Sequence, residues 1–268
     1  MSSFPAGCSI VVTGASQGIG KAVSLRLAAR GARLTLGARD GAALEAVAAA
    51  CREAGGGAVA VPTDVARPAD CERLVERAIG AWGGIDGLIN NAGIDMVVRF
   101  DEVSDLGLFE RLMQVNYLGY VYPTHYALPA LKRSRGRLVA VSSVAGLTGV
   151  PTRSGYAATK HAIFGFFDSL RVELAGSGVS VTVVAPDFVV SEIHRRALGA
   201  DGAPIGHSSM QEEHIMTAER CAEHIVGAME GRQRLRILSL RGRLGRWVRL
   251  AAPALIDWVA ARAVRLGR

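Results

Sequence analysis

The chain has 268 residues, a formal net charge of +7 and 50% hydrophobic residues, which excludes a disordered protein and supplies enough apolar side chains for a large core. Its four cysteines lie far apart with no CxxC spacing, and its six histidines form no HxxxH pair. We therefore expect no disulfide framework, no metal site and a reducing, cytoplasmic location, with no spanning helix or secretory signal.

Positive charge is concentrated at the C-terminal end of the chain. From Arg232 to Arg268 there are ten arginines and one acid, Asp257, which gives +9 and leaves −2 for the rest. This distribution argues against nucleic-acid binding by the body of the protein. A solvated helix face, a subunit contact and a surface peripheral to an anionic membrane are the alternatives for the tail.

Short apolar runs alternate with helical patterns along most of the chain. The runs are rich in Val, Ile and Leu, and predict buried strands at 8–14, 32–38, 57–63, 87–90, 136–143, 179–186 and 234–240. Helices are predicted near 18–30, 40–54, 68–82, 105–133, 156–176 and 217–230. This alternation implies an α/β fold, a single-domain doubly wound (Rossmann) sheet of about seven parallel strands with helices on both faces.

Two segments do not follow this alternation of strands and helices. Residues 187–216 form a long glycine-containing loop, and loops of this length usually have a function. Beyond residue 243, apolar residues recur at helical spacing, and Pro253 kinks or restarts the helix. We therefore expect a Rossmann-type domain over 1–242 and a basic amphipathic helical extension of that domain over 243–268.

A glycine-rich turn follows the first strand. In TGASQGIGKAV, Gly14, Gly18 and Gly20 fall where the strand turns into a helix. Glycines there allow the backbone to approach a pyrophosphate, which also meets the positive N-terminus of the helix. A glycine trio alone also marks ordinary turns, but the strand before it and the apolar helix after it favour a dinucleotide site.

The second strand ends in LGARD, with Arg39 about 19 residues after Gly20. An acidic residue at this position accepts a hydrogen bond from a ribose 2′-hydroxyl, whereas an arginine accommodates a 2′-phosphate. Arg39 therefore favours NADP(H) over NAD(H). The acidic residue Asp40, one position later, complicates this prediction of NADP(H). Its alternative role is to cap the next helix.

Further motifs follow in a fixed order: Asp64-Val65, NNAG at 90–93, VSSVAG around Ser143, and YAATK at 156–160. With TGASQGIG and Asn116 they resemble the short-chain dehydrogenase/reductase family over about residues 8–190, in the style of its hydroxysteroid- and lipid-acting carbonyl reductases. The spacings from Asn116 to Ser143, Tyr156 and Lys160, which are 27, 13 and 4 residues in turn, are those of the family. The ordered set is far more specific than any single motif.

The chemistry agrees with that resemblance. Hydride transfer to a carbonyl leaves negative charge on oxygen, which needs a donor and then a proton. Lys160 lies one helical turn from Tyr156, and an ammonium there lowers the pKa of the phenol. The resemblance implies that Tyr156 and Lys160 exchange the proton, that Ser143 holds the substrate oxygen and that Asn116 positions a water. Taken singly, Ser143 has the alternative role of ending a strand, and Asn116 that of capping a helix or satisfying buried backbone.

The resemblance also implies a set of cofactor contacts. Asp64 and Val65 lie at the adenine end, Asn91 lies near the ribose, and the backbone of Val189 meets the carboxamide. The family has Pro-Gly after the sixth strand where this chain has Pro186-Asp187, and a carboxylate there alters cofactor affinity. The predicted NADP(H)-binding residues are Gly14, Ser16, Gln17, Gly18, Ile19, Gly20, Arg39, Asp64, Val65, Asn91, Ala92, Gly93, Tyr156, Lys160, Pro186 and Val189.

The expected activity is that of an NADPH-dependent carbonyl reductase, reversible as an alcohol dehydrogenase, acting on an apolar small molecule under the 187–216 loop. A homodimer or homotetramer is expected from the family. The alternatives are a non-catalytic NADP(H)-sensing protein and a membrane-surface scaffold that acts through 243–268. Candidate walls of the substrate site, each of which is equally well a core residue, are Met96, Phe100, Leu147, Val150, Phe188, Ile193 and Met216.

Overall fold

A computed structural model describes residues 6–190, 193–206 and 215–265. In these residues the strands are β1 Ser9–Thr13, β2 Arg33–Ala38, β3 Gly57–Pro62, β4 Gly87–Asn90, β5 Arg137–Val141, β6 Ser180–Ala185 and β7 Leu235–Ile237. They form one parallel sheet in the order β3-β2-β1-β4-β5-β6-β7. The order reverses between β1 and β4, and ligands of such sheets bind at the carboxyl ends of the strands on either side of the reversal.

Helices connect successive strands and cover both faces of the sheet, which confirms the predicted doubly wound fold. They are α1 Gly18–Ala28, α2 Gly41–Glu53, α3 Pro68–Trp82, α4 Gly107–Met113, α5 Gly119–Ser134, α6 Ser154–Glu173, α7 Ala218–Glu230, α8 Leu240–Ala251 and α9 Pro253–Arg265.

The strand residues alternate between two cores. In β1, Ile10 and Val12 pack with side chains of α1, α2 and α7, while Val11 between them packs with side chains of α3, α5 and α6. All three side chains are fully buried. Because both faces of the sheet are covered, the strand is apolar throughout rather than alternating, as expected of a parallel sheet.

Two predicted elements differ from the structure. The helix predicted over 105–133 begins at Gly107 and is divided by a π-helical turn, Gln114–Leu118, between α4 and α5. The strand predicted over 234–240 is only three residues long, because Ser239 caps α8 by accepting a hydrogen bond from the Gly242 N–H at 3.0 Å. Helix α8 thus begins before residue 243, and the expected boundary between 242 and 243 falls inside it.

The C-terminal helices α8 and α9 carry exposed apolar and basic side chains. Pro253 restarts the helix as α9, as predicted. The guanidiniums of Arg246 and Arg262 lie over the rings of Trp247 and Trp258, at 4.8 and 5.7 Å from the ring centroids. Both tryptophans are largely exposed. Of the described residues, no helix is long and apolar enough to cross a membrane.

Candidate active site

One cavity opens at the carboxyl ends of the central strands, where the order of the sheet reverses, and most of the predicted site residues line it. Two predicted residues, Gly20 and Asn116, are not among its lining and lie behind it. The predicted residues on its walls are Gly14, Ser16, Gln17, Gly18, Ile19, Arg39, Asp64, Val65, Asn91, Ala92, Gly93, Ser143, Tyr156, Lys160, Pro186 and Val189.

The glycine turn between β1 and α1 is closely packed. Gly14 has a φ of +66°, and a Cβ on it would lie 2.7 Å from the Ala92 Cα. A Cβ on Gly20 would lie 2.2 Å from the Gly14 carbonyl oxygen. Gln17, the N-cap of α1, makes no side-chain hydrogen bond to the helix, so its side chain leaves the first N–H groups of α1 available. The turn therefore has the geometry that a phosphate-binding helix N-terminus requires.

Asn91 and Thr13 hold this turn against the end of β4. The Asn91 side-chain amide donates to the carbonyl oxygens of Thr13 and Gly14 at 3.1 and 3.2 Å. The Thr13 hydroxyl accepts from the backbone N–H groups of Asn91 and Ala92 at 3.0 and 3.2 Å. Asn91 thus supports the glycine turn in addition to lining the cavity. Thr13 was not predicted from the sequence as a residue that supports the site, because a threonine inside a strand is common.

The end of β2 carries Arg39, the residue predicted to distinguish a ribose 2′-phosphate from a 2′-hydroxyl. Arg39 is exposed and lines the cavity, and the ion pairs among the described residues do not include it. Asp40 caps α2, with its Oδ1 accepting from the Ala43 N–H at 3.0 Å, which confirms the capping alternative. Asp64 and Val65 line the same end of the cavity.

Helix α6 brings Tyr156 and Lys160 beside Ser143, which follows β5. The Lys160 Nζ lies 5.5 Å from the centroid of the Tyr156 ring and donates to the Val141 carbonyl oxygen at 3.2 Å. The Ser143 side chain lies near the Tyr156 phenol and lowers its pKa, and its hydroxyl accepts from the Ala145 N–H at 3.1 Å. A phenol, an ammonium and a hydroxyl therefore share one wall of the cavity.

Burial sets the protonation of this pair. Burial raises the pKa of Tyr156 well above its ordinary value, and the Asp95 carboxylate raises it further, while Ser143 and Arg153 lower it. Burial lowers the pKa of Lys160 to about 8, which Asp95 partly opposes. The Tyr156 pKa is thus shifted upward, opposite to the predicted lowering, because burial has the largest effect and Lys160 is not among the groups that lower it.

Asn116 lies in the π-helical turn and is fully buried. Its Oδ1 accepts from the Ile94 N–H at 2.8 Å, and its Nδ2 donates to the Ile94 carbonyl oxygen at 2.9 Å and to the Thr159 hydroxyl at 3.1 Å. The side chain therefore satisfies buried backbone, as the alternative interpretation proposed. A Cβ on Gly93 would lie 3.3 Å from the Asn116 Oδ1 and 3.9 Å from the Lys160 Nζ, so this glycine keeps the space between them open.

A buried charged cluster next to Tyr156 was not predicted. Asp95 is 1% exposed and forms an ion pair with Arg153, which precedes α6. The His194 Nδ1 lies 3.6 Å from the Asp95 Oδ2. A lone acid within the apolar stretch IDMVV was the available signal, because a buried carboxylate requires a partner.

The substrate side of the cavity is more polar than expected. Among the described residues predicted as its walls, Ile193 lines the cavity, together with the unpredicted His194 and Arg196. Met96 is a fully buried core residue that packs with Leu108 and Leu112, so its placement in the wall was wrong. Phe100 is largely exposed, outside this lining. Residues 191–192 and 207–214 of the expected covering loop lie outside the described residues.

Asp187, in the family's glycine position, is held by the start of α8. Its Oδ2 accepts from the Ser239 hydroxyl at 2.8 Å and from the Arg241 Nε at 3.2 Å, and its Oδ1 accepts from the Arg241 Nη2 at 2.7 Å. Asp187 does not have a positive φ, so the backbone there is unstrained by the substitution. The charge of Asp187 is compensated by Arg241, which lies more than fifty positions away in the sequence. A local sequence pattern does not predict such a pair.

Comparison with known proteins adds to this geometry. A family model described as short chain dehydrogenase matches residues 9–200. An 11-beta-hydroxysteroid dehydrogenase A of Sesamum indicum is 36% identical over 260 residues, which cover 95% of this chain and 74% of that protein. The 11-beta-hydroxysteroid dehydrogenase 1A of Arabidopsis thaliana is 35% identical over 256 residues, covering 93% and 73%. A Dictyostelium discoideum dehydrogenase/reductase SDR family protein 7-like is 31% identical over 256 residues, covering 93% and 79%.

Solved structures show the same fold. A short chain dehydrogenase/reductase from Burkholderia phymatum, solved in complex with NAD, matches with a TM-score of 0.79 and 24% identity over 100% of this chain and 97% of that one. Levodione reductase matches with a TM-score of 0.76 and 22% identity over 89% and 98%.

Proposed function

The chain belongs to the short-chain dehydrogenase/reductase family, and from that premise we propose that it is an NADP(H)-dependent oxidoreductase acting on an apolar ketone or secondary alcohol. Membership supports an oxidoreductase that transfers hydride between a nicotinamide cofactor and a carbonyl or alcohol. The observation that carries the proposal is the placement of Ser143, Tyr156 and Lys160 on one cavity with the glycine turn.

The residues around the cavity fit a dinucleotide. Gly14 and Gly20 leave room for close backbone approach, and α1 presents its N-terminus to phosphate. Arg39 is the proposed partner of a 2′-phosphate, since its guanidinium is exposed on the cavity wall and binds phosphate through paired donors. When bound, the nicotinamide supplies or accepts the hydride.

The protein's own groups then manage the substrate oxygen and its proton. With its pKa raised by burial, Tyr156 is protonated at neutral pH and is ready to donate a proton to a carbonyl that is being reduced. Ser143 holds the substrate oxygen beside it. Lys160, with a pKa of about 8, remains mostly protonated at pH 7. Its ammonium would donate hydrogen bonds to hydroxyls of a bound cofactor. Asn116 ties the π-helical turn to Ile94 and to Thr159 of α6, and it is the proposed water-positioning residue.

An apolar ring system or chain is the proposed body of the substrate. Relatives that share about a third of their residues with this chain have names that specify a hydroxysteroid. Residues 193–206 lie along the β4 end of the site, where the Leu198 N–H donates to the Asp95 carbonyl oxygen at 2.9 Å. We assign 187–216 as the loop covering the substrate within the catalytic domain predicted over 1–242, and we begin the extension predicted over 243–268 with α8, at Leu240.

The C-terminal extension over 243–268 is the proposed contact surface of the protein. Its exposed tryptophans, with arginines stacked on them, suit both a subunit interface in a homodimer or homotetramer and peripheral contact with an anionic membrane. Sedimentation with and without vesicles containing phosphatidylserine separates these: a concentration-dependent oligomer supports the first, and co-sedimentation lost on deleting 243–268 supports the second.

The cofactor assignment is tested by titrating the protein with NADPH and with NADH while following nicotinamide fluorescence. Wild type is expected to bind NADPH more tightly, and Arg39→Asp to weaken NADPH binding by about tenfold or more while NADH binding changes little. Arg33→Asp, at the opposite end of β2, is the matched control. Binding of neither nucleotide by wild type, or an unchanged preference in Arg39→Asp, would refute the assignment.

Turnover tests the enzymatic role. A panel of apolar ketones is assayed with NADPH, and Tyr156→Phe is expected to lower kcat by about 10²- to 10⁴-fold while NADPH still binds. A nucleotide sensor would show binding without turnover by wild type. A scaffold would lose its function on deletion of 243–268 and keep it in Tyr156→Phe.

A further inference from the structure

The first turn of α8 contacts one residue on the wall of the cofactor cavity, Asp187. Asp187 lines that cavity, and its carboxylate is held by the Ser239 hydroxyl and by two nitrogens of Arg241. The Asp187 side chain is 15% exposed and the Arg241 side chain is 70% exposed. The guanidinium is therefore solvent-exposed, while the carboxylate that it holds is largely buried.

Several contacts fix α8 in this place. A Cβ on Gly242 would lie 2.6 Å from the Val144 Cγ1, so the helix packs closely on the segment that follows Ser143. The Arg241 guanidinium also lies 5.4 Å from the centroid of the Phe188 ring. Because Pro186, Asp187 and Val189 all line the cavity, Asp187 connects the start of α8 to that wall.

The ion pair between Arg241 and Asp187 compensates a negative charge on the cavity wall. A dinucleotide brings phosphates, and an uncompensated carboxylate on the cavity wall would repel them. Asp40 and Asp64 already line the same cavity. A third carboxylate is tolerable when a guanidinium satisfies it with two hydrogen bonds, since the pair is then close to neutral and its geometry is fixed.

We propose that Arg241 is a positioning residue for the nicotinamide half of the cofactor, because it holds and compensates the Asp187 carboxylate on the cavity wall, and that α8 thereby supports the cofactor site. This inference rests on the proposed function, because it requires the cavity to bind a nicotinamide dinucleotide. It concerns the half of the dinucleotide next to Pro186–Val189, not the half next to Arg39.

The test is a double-mutant cycle measured by calorimetry. Arg241→Gln, Asp187→Asn and the double variant are titrated with NADPH, with reduced nicotinamide mononucleotide and with adenosine 2′,5′-bisphosphate. Arg246→Gln, in the same helix but stacked on Trp247 where Arg241 is bonded to Asp187, is the control. Thermal unfolding of each variant verifies that it is folded.

Arg241→Gln is expected to weaken binding of NADPH and of the mononucleotide by about fivefold, a modest factor because the guanidinium is exposed and screened. Binding of the adenosine bisphosphate is expected to stay unchanged. Asp187→Asn in the Arg241→Gln background is expected to restore NADPH binding, because it removes the carboxylate that the guanidinium compensates. A purely structural role of Arg241 in anchoring α8 predicts no such rescue.

The inference is overturned if Arg241→Gln binds NADPH as wild type does, or if the double variant stays as weak as Arg241→Gln. It is also overturned if the adenosine bisphosphate weakens in parallel with the mononucleotide. Failure of the proposed function is distinguishable, because wild type itself would then bind neither NADPH nor the mononucleotide.

Discussion

Replacement of Lys160 by methionine is expected to stabilise the nucleotide-free protein while removing its activity. Lys160 is 4% exposed, and burial lowers its pKa from an ordinary 10.5 to about 8. By linkage, that difference means that keeping the ammonium in the folded protein costs about 3 kcal/mol at pH 7. Methionine is of similar length and has no charge to desolvate.

The contacts that methionine loses offset part of this gain. Lys160 donates to the Val141 carbonyl oxygen at 3.2 Å and lies 5.3 Å from the centroid of the Tyr120 ring. The carbonyl keeps a second partner, since the Tyr120 hydroxyl donates to it at 2.8 Å. The lost contacts contribute about 1–2 kcal/mol. The net expectation is a stabilisation of about 1–2 kcal/mol, or about 4 °C in Tm for a chain of this size.

The pH dependence identifies the cause. The folded pKa lies below the unfolded one, so the cost is fully present below about pH 8 and vanishes as the pH rises toward 10.5. Thermal unfolding of wild type and Lys160→Met at pH 7, 9 and 10 should therefore show a Tm difference that shrinks with rising pH. Lys132→Met, at an exposed position in the last turn of α5, is the control and should show a constant difference.

Two results would refute this reasoning about Lys160. One is a variant less stable than wild type at pH 7, which would mean that the lost contacts outweigh desolvation. The other is a Tm difference that does not depend on pH, which would mean that the lysine is not the titrating group. Loss of turnover in a more stable variant would illustrate an active site that is retained at a cost to stability.

Three further predictions follow from buried groups. Arg153→Gln leaves Asp95 buried without its ion-pair partner, so the variant should lose about 3 kcal/mol of unfolding free energy in a denaturant titration. Since Arg153 lowers the pKa of Tyr156, the variant should also move the alkaline limb of the pH–rate profile to higher pH. An unchanged profile would contradict it. Gly20→Ala drives a Cβ toward the Gly14 carbonyl oxygen and should weaken NADPH binding by at least about tenfold in a fluorescence titration; wild-type affinity would count against the turn geometry. Burial raises the pKa values of the four cysteines to about 11 or 12, so Ellman's reagent at pH 8 should label none in the native protein and all four in denaturant; rapid native labelling would disprove their burial.

Sequence patterns were sufficient where the determinant is local. The seven strands and the helices between them follow from apolar runs alternating with helical periods, and the glycine turn follows from residues within a few positions of each other. The pairing of Tyr156 with Lys160 needs only the pitch of one helix. The π-helical turn at Asn116 was missed, because a single wide turn barely alters the periodicity of a long helical pattern.

Only the tertiary structure decided how the site is charged. Whether Tyr156 is raised or lowered in pKa depends on how much water the packed chain excludes, and that is a sum over all surrounding atoms. Asp95 meets Arg153 across 58 positions and Asp187 meets Arg241 across 54. Such pairs exist only after the sheet and its helices bring distant segments to one edge. Local residue types and spacings therefore determine which elements form and which motifs they carry, while long-range packing determines the electrostatics of the cavity between them.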